Sequence, residues 1–128
     1  MIKKLVSVLF LILISLYGCS PDEPGEISAA FRNIDHEEAR EMIDSSQAVI
    51  ILDVRSIQEH SQRNIQNSLL LPVDEISYET AAEMLPDKDA VIIVYCASGN
   101  RSRRASQALV DLGYRNVYDM GGIEGWVD

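Results

Sequence analysis

One cysteine of the chain stands where a reactive thiol would be expected. Cys96 directly follows a strongly apolar run, residues 90–95, and precedes an amphipathic stretch, residues 101–112. A loop between a strand and a helix N-terminus turns its backbone N–H groups toward one point and can hold an anion. The helix dipole and nearby arginine also favour thiolate over thiol. The candidate site is therefore the nucleophile Cys96 and the loop after it: Ala97, Ser98, Gly99, Asn100, Arg101 and Ser102.

Three arginines stand in the first turns of the same predicted helix, at positions 101, 103 and 104. A helix dipole disfavours cations at this end by about 0.3–1 kcal/mol each at exposed positions. Their presence indicates an anion, bound or covalent, at the loop. For Arg103 and Arg104 a second interpretation stays open, in which the long side chains simply extend into water.

The chain that positions this loop alternates stretches typical of strands and of helices. Asp35 and Glu38 form the pattern of a capping box at the start of one helix. Strands are predicted over residues 48–52, 68–71, 90–95 and 116–118, and further helices over 56–62, 74–85 and 101–112. Such alternation predicts an α/β fold with a mostly parallel sheet. Ligands bind outside the carboxyl ends of such strands, where Asp53 and Arg55 also emerge.

Composition excludes several other classes of protein. The 128 residues are 47% apolar, which suits one globular domain and gives too much core for a disordered chain. A net charge of -9 disfavours nucleic acid as a partner, because phosphate backbones are held mainly by Lys and Arg. Two cysteines make neither a disulfide scaffold nor a four-cysteine zinc site. We therefore expect no metal, no cofactor and no nucleic-acid partner, and we expect a monomer.

The N-terminal segment differs from the rest of the chain. A basic head at Lys3 and Lys4 precedes an apolar run that is too short to span a bilayer, as in a secretory signal. The ending Leu16-Tyr17-Gly18-Cys19 resembles a bacterial lipobox, in which cleavage precedes a cysteine that then carries lipid. An uncleaved signal anchor is the alternative.

The lipobox resemblance implies three segments. These are a lipoprotein signal peptide over residues 1–18, a lipidated tether over 19–33 that begins at Cys19, and one domain over 34–128. Loss of the two leader lysines takes the net charge from -9 to -11 and leaves Cys96 as the one free thiol. We expect an exported protein, lipid-anchored to the cell envelope on its periplasmic or extracytoplasmic face.

The cysteine loop resembles the active-site loop of the rhodanese (sulfurtransferase) family. The resemblance covers residues 33–128 and rests on four blocks in the expected order. These blocks are Asp53-Val54-Arg55 with Glu59, the segment 65–72, the loop Cys96-x-x-Gly99-x-Arg101-Ser102, and Gly113-Tyr114 with Gly121-Gly122-x-x-x-Trp126. His60 stands where the family usually has an aromatic residue, and we interpret it as a partly exposed helix residue.

The resemblance implies a three-layer fold and sulfur transfer. Cys96 would take the outer sulfur of an anionic donor such as thiosulfate, become a persulfide, and pass that sulfur to cyanide or a thiol. The loop amides would hold the persulfide and Arg101 the donor. We assign Asp53 mainly to support of the loop, whereas Arg55 either contacts the substrate or forms a salt bridge.

Two alternatives to catalysed sulfur transfer are a phosphatase and a non-catalytic module. Related phosphatases have the spacing Cys-x5-Arg, whereas Cys96 and Arg101 here have Cys-x4-Arg, which forms a smaller cradle better suited to sulfur. A non-catalytic persulfide carrier, or a tethered sulfur-sensing module, is the stronger alternative. Catalysis is favoured because Cys96, Gly99 and Arg101 occur together.

Overall fold

The computed structural model describes residues 30–128. The predicted leader, the lipidation site Cys19 and the tether up to residue 29 lie outside the described residues. Within 30–128, no helix has the length and apolar character needed to cross a membrane. The elements, in chain order, are β1 (Arg32–Asn33), α1 (His36–Asp44), β2 (Val49–Asp53), α2 (Ile57–Gln62), β3 (Leu69–Leu70), a 3-10 helix (Val73–Glu75), α3 (Tyr78–Met84), β4 (Val91–Cys96), α4 (Asn100–Asp111) and β5 (Asn116–Gly122).

The five strands form one sheet in the order β1-β5-β4-β2-β3, and all neighbouring strands are parallel. The predicted α/β fold with a mostly parallel sheet is therefore confirmed. β4 lies at the centre, between β5 and β2, so its carboxyl end is flanked by the ends of both neighbours. That arrangement brings the loop after β4 close to the segments that follow β2 and β5.

Helices cover both faces of this sheet. Alternate residues of β4 enter different buried clusters: Val94 and Cys96 lie with Leu109 of α4, whereas Tyr95 lies with Ala39 of α1. All six residues of β4 are buried. This explains why its sequence is a continuous apolar run, because a parallel strand covered on both faces has no solvent side. The predicted three-layer arrangement is confirmed.

Three segments differ from their predictions. Residues 32–33, the last two of the predicted tether, form β1 and pair with β5. β5 continues to Gly122 rather than ending at residue 118. The helix predicted over residues 74–85 is two elements, a 3-10 helix and α3. Ser77 divides them, because its side chain accepts from the Thr80 N–H (3.1 Å) while the Thr80 hydroxyl accepts from the Ser77 N–H (2.9 Å).

Replacing Ser77 by alanine tests this division. Loss of an N-cap side chain should lower the free energy of unfolding by about 0.5–2 kcal/mol, measured by urea titration. Glu83→Ala, an exposed change in the same helix, should stay within about 0.5 kcal/mol. If residues 74–85 formed one helix, alanine at the interior position 77 would instead be neutral or slightly stabilising.

Candidate active site

The strand, loop and helix around Cys96 follow the predicted order. Cys96 is the last residue of β4, and α4 begins at Asn100, one residue earlier than predicted. Gly99 is the N-cap of α4 and has a positive φ of 101°, a backbone conformation that glycine adopts without steric cost. This turn directs the start of the helix at the sulfur, since the Gly99 N–H donates to Cys96 Sγ at 3.0 Å.

The Cys96 thiol is fully buried yet surrounded by donors. Burial would raise the pKa of the Cys96 thiol, but hydrogen bonds from the Ser102 hydroxyl and from the N–H groups of Ser102, Gly99 and Ser98 outweigh it. The pKa therefore lies below its ordinary value. A thiolate is the nucleophilic form of cysteine, so this loop favours the more reactive form of Cys96.

Ser102 links the loop to its own helix as well as to the sulfur. Its side chain is fully buried, and its hydroxyl donates to the Gly99 carbonyl at 3.0 Å. The single hydroxyl proton thus has two acceptors within reach, the Gly99 carbonyl and the sulfur. Since a thiolate accepts more strongly than a thiol, ionisation of Cys96 favours the bond to sulfur.

The carboxyl end of β5 forms a second wall of the loop. Gly122 approaches the loop so closely that a Cβ atom there would clash with the Ala97 carbonyl oxygen. The Ile123 N–H donates to the Cys96 carbonyl at 2.8 Å. His36 Nε2 lies 2.8 Å from the Gly122 carbonyl, so α1 braces this wall from the other side. Gly122 therefore serves close packing against the loop, whereas Gly121 has open space around its Cα and a positive φ of 81°.

Arg55 forms the salt bridge that is one of its two predicted roles. Its Nε and terminal nitrogen donate to the fully buried Asp53 carboxylate at 3.0 and 2.7 Å, a buried salt bridge. Burial raises the pKa of Asp53, but hydrogen bonds from Arg55, His60 and Tyr95 outweigh it and lower that pKa overall. The Tyr95 hydroxyl, from the residue before Cys96, donates to Asp53 at 2.9 Å. Asp53 thus holds the base of the loop through Tyr95.

His60 belongs to this network, which the sequence did not reveal. It is partly exposed on α2, as interpreted, but its Nδ1 also lies 2.8 Å from Asp53 Oδ2. The available signal was the departure from the family pattern, an imidazole in place of an aromatic ring. His60 can contact Asp53 only because α2 lies over the end of β2, and the sequence alone does not show that placement.

Arg101 is paired with a residue of α2. Its two terminal nitrogens donate to the two carboxylate oxygens of Glu59, each at 2.8 Å. This pairing raises the pKa of Arg101 and holds the pKa of Glu59 well below its usual range. Both side chains are about one-third exposed. The guanidinium is thereby oriented beside the loop with its charge balanced by Glu59.

The other two arginines of α4 are less engaged. Arg104 lies 3.8 Å from Asp74, and both side chains are exposed. The Arg103 side chain has no hydrogen bond or ion pair with any other residue in 30–128. Over the same residues, no group of three or more His, Cys, Asp or Glu side chains is arranged to hold a metal ion. The site as described is an activated thiol in a cradle of amide donors.

The chain is similar to known proteins over the region that holds this site. The Rhodanese-like domain family matches residues 35–128. Thiosulfate sulfurtransferase GlpE of Coxiella burnetii (strain RSA 331) is 33% identical over 98 residues, 75% of this chain and 87% of that protein. Thiosulfate sulfurtransferase PspE of Escherichia coli K12 is 33% identical over 73 residues, 57% of this chain and 69% of that protein. A solved structure, a rhodanese with anions from E. coli, has a TM-score of 0.56 at 32% identity over 62% of this chain and 93% of that chain.

Removal of the Ser102 hydroxyl should raise the pKa of Cys96. A hydrogen bond contributes about 0.5–1.5 kcal/mol. In a plot of the alkylation rate of Cys96 against pH, Ser102→Ala should therefore move the midpoint to a pH higher by about half to one unit. Ser106→Ala is the matched control. Ser106 lies one turn further along α4, is equally buried, and its hydroxyl has no partner within 30–128. An equal shift in both variants would contradict the assignment.

Proposed function

This chain belongs to the Rhodanese-like domain family, and from that premise we propose that it is a thiosulfate sulfurtransferase. It moves sulfane sulfur from a donor such as thiosulfate, through a persulfide on Cys96, to a thiophilic acceptor, cyanide or a thiol. The supporting observation is the buried Cys96 sulfur at the focus of loop donors, with its pKa lowered. The names of the relatives GlpE and PspE support thiosulfate as a donor for this chain.

The reaction has two halves. In the first, the Cys96 thiolate attacks the outer sulfur of thiosulfate, the donor's S–S bond breaks, and sulfite leaves with the electron pair. In the second, the acceptor attacks the outer sulfur of the persulfide, and the electron pair of the broken S–S bond returns to Sγ. Each half begins or ends with a charged sulfur on Cys96, as covalent catalysis requires.

The residues around the sulfur have different roles in this reaction. The N–H groups of Ser98, Gly99 and Ser102 lower the free energy of negative charge at Cys96 without reorganisation, because the loop already directs them inward. Asp53 and Arg55 are positioning residues that act through Tyr95. Ala97 is held against Gly122, and Asn100 begins α4, so both fix the shape of the loop.

Arg101 supports donor binding from a fixed position. Two of its nitrogens are held by Glu59, which orients the guanidinium and leaves its Nε free of side-chain partners within 30–128. A rigid planar cation binds a small oxyanion with less loss of rotamer entropy than a mobile side chain does. The Glu59–Arg101 pair therefore holds the guanidinium in a fixed orientation in which it can bind a dianion such as thiosulfate.

Turnover tests the enzymatic proposal. The purified protein should convert thiosulfate and cyanide to sulfite and thiocyanate, and Cys96→Ser should reduce the rate to the uncatalysed level because the nucleophile is lost. Cys19→Ala, which changes the other cysteine of the chain, should retain full turnover. Mass spectrometry after incubation with thiosulfate should show one added sulfur atom on the wild type and none on Cys96→Ser.

The same experiment separates the enzyme from the carrier. A mass gain of one sulfur without turnover would support a persulfide carrier and contradict catalysis. Neither mass gain nor turnover would overturn sulfur chemistry at Cys96 altogether. Loss of turnover in Cys19→Ala would show that the two cysteines do not have separate roles.

We also propose that the domain is exported and anchored to the cell envelope through lipid on Cys19. The support is the sequence around that residue, a basic head and apolar run followed by Gly18-Cys19 and a polar tether. Cells grown with an alkyne fatty acid should yield labelled wild type in the membrane fraction. Cys19→Ala should lose both label and membrane association, whereas Cys96→Ser should keep both. An unlabelled wild type would overturn the anchor.

A further inference from the structure

A cavity lies beside the cysteine loop, on the side of β5 and β1. Its volume is about 350 Å³, within the range of small-molecule sites. Gly99 lines it and also donates its N–H to Cys96 Sγ at 3.0 Å, so the cavity and the sulfur adjoin the same residue. Its walls include Ile34, Met120, Asn100, Arg103 and Asp119. We call this cavity the lateral groove.

Asp119 supplies a carboxylate to the lateral groove. It is only 6% exposed, and one carboxylate oxygen accepts the Gly121 N–H at 2.9 Å. Over residues 30–128, no Arg, Lys or His comes within ion-pair distance of it, whereas the comparably buried Asp53 has Arg55. The other carboxylate oxygen of Asp119 has no hydrogen-bond partner within 30–128 and is not among the buried unpartnered atoms, so it keeps access to solvent. That oxygen is therefore available to a cationic group that enters from the groove.

An irregularity in β5 places this carboxylate. Val94 of β4 pairs with Asp119 and Tyr95 pairs with Gly121, so Met120 is an extra residue in β5. Bulges of this kind change the direction of side chains and are frequent next to active sites. The bulge sets Asp119 and Met120 side by side in the wall of the lateral groove.

Arg103, on α4, supplies a positive charge to the lateral groove. It is exposed on the first turn of α4, and its side chain has no acidic partner among residues 30–128, although the chain carries a net charge of -9. A cation at this end of a helix is unfavourable by itself. The groove thus presents a cation and a carboxylate that have no ion-pair partner within 30–128, and the apolar residues Ile34 and Met120 also line it.

We propose that the lateral groove binds an amino-acid thiol as the sulfur acceptor. The acceptor's ammonium group would pair with Asp119, its carboxylate with Arg103, and its methylene groups would contact Ile34 and Met120. This inference rests on the proposed sulfur transfer and specifies the acceptor as a zwitterion, for which free cysteine is the probe. The acceptor thiolate attacks the outer persulfide sulfur, the S–S bond to Sγ breaks with its electron pair going to Sγ, and the product leaves as its own persulfide.

Binding can be measured without the reaction. S-methylcysteine carries both charges but no thiol, so it should bind the full-length protein in calorimetry or in NMR shift titration. Asp119→Asn, which keeps an oxygen for the Gly121 N–H, and Arg103→Ala should each weaken binding about tenfold, since each removes one charge-assisted contact. Arg104→Ala, on the next residue but outside the groove, should leave it unchanged.

A panel of acceptors tests the same assignment in turnover. The KM for cysteine should be about tenfold below that for 2-mercaptoethanol, which has neither charge. Arg103→Ala should raise the KM for cysteine and 3-mercaptopropionate relative to that for cyanide, but not the KM for cysteamine, which lacks a carboxylate. Asp119→Asn should affect cysteine and cysteamine and spare 3-mercaptopropionate.

The outcomes separate this inference from the proposed function. Binding of S-methylcysteine without turnover would support the groove while overturning catalysis. Turnover with cyanide, but equal KM values for cysteine and 2-mercaptoethanol in the wild type, would overturn the groove and leave sulfur transfer standing. If Arg103 and Asp119 only stabilise the fold, both variants would lower the melting temperature and neither would change binding. If Asp119→Asn fails to fold, Arg103→Ala and the acceptor panel with the wild type still test whether the lateral groove binds the acceptor.

Discussion

A buried thiol ionises only if hydrogen-bond donors of the protein replace the water that would otherwise solvate the thiolate. That requirement explains how the loop at the carboxyl end of β4 is arranged. Cys96 is fully buried, so its anionic form depends on donors from the loop and from Ser102. Those donors converge only because Gly99 adopts a positive φ and because the chain at Gly122 comes close enough to hold Ala97 in place. The central position of β4 is what allows β5 to supply that second wall.

The helix over the end of β2 is held by polar contacts rather than by a core. α2 has no buried residue, and its contacts to the site are polar: Glu59 to Arg101 and His60 to Asp53. Each contact joins α2 to a different element, one to α4 and one to β2. Arg101 and Asp53 thus have ion-pair partners in Glu59 and Arg55, whereas Arg103 and Asp119 have none among residues 30–128, so these two are the charges that the proposed groove would offer to a ligand.

Most of the fold was predictable from signals that act within a few residues. The capping pair of Asp35 and Glu38 is formed, and α4 ends before Gly113, which has a φ of 97°. β1 was missed because a two-residue strand takes its hydrogen bonds from β5 rather than from any pattern of its own. The residues after 118 in β5 were missed because Asp119 and the glycine pair are poor strand formers by propensity, and their place depends on β4.

The sequence by itself determined the candidate nucleophile and its immediate loop. A strand, a cysteine, a turn glycine and a helix follow one another without interruption, so their geometry is dictated locally. Only the tertiary structure decided which charges meet. Arg101 and Glu59 are 42 positions apart, and Tyr95 and Asp53 are likewise 42 apart. Such pairs form because parallel strands bring their carboxyl ends to one edge, and a single sequence contains the charges but not the order of the strands that brings them together.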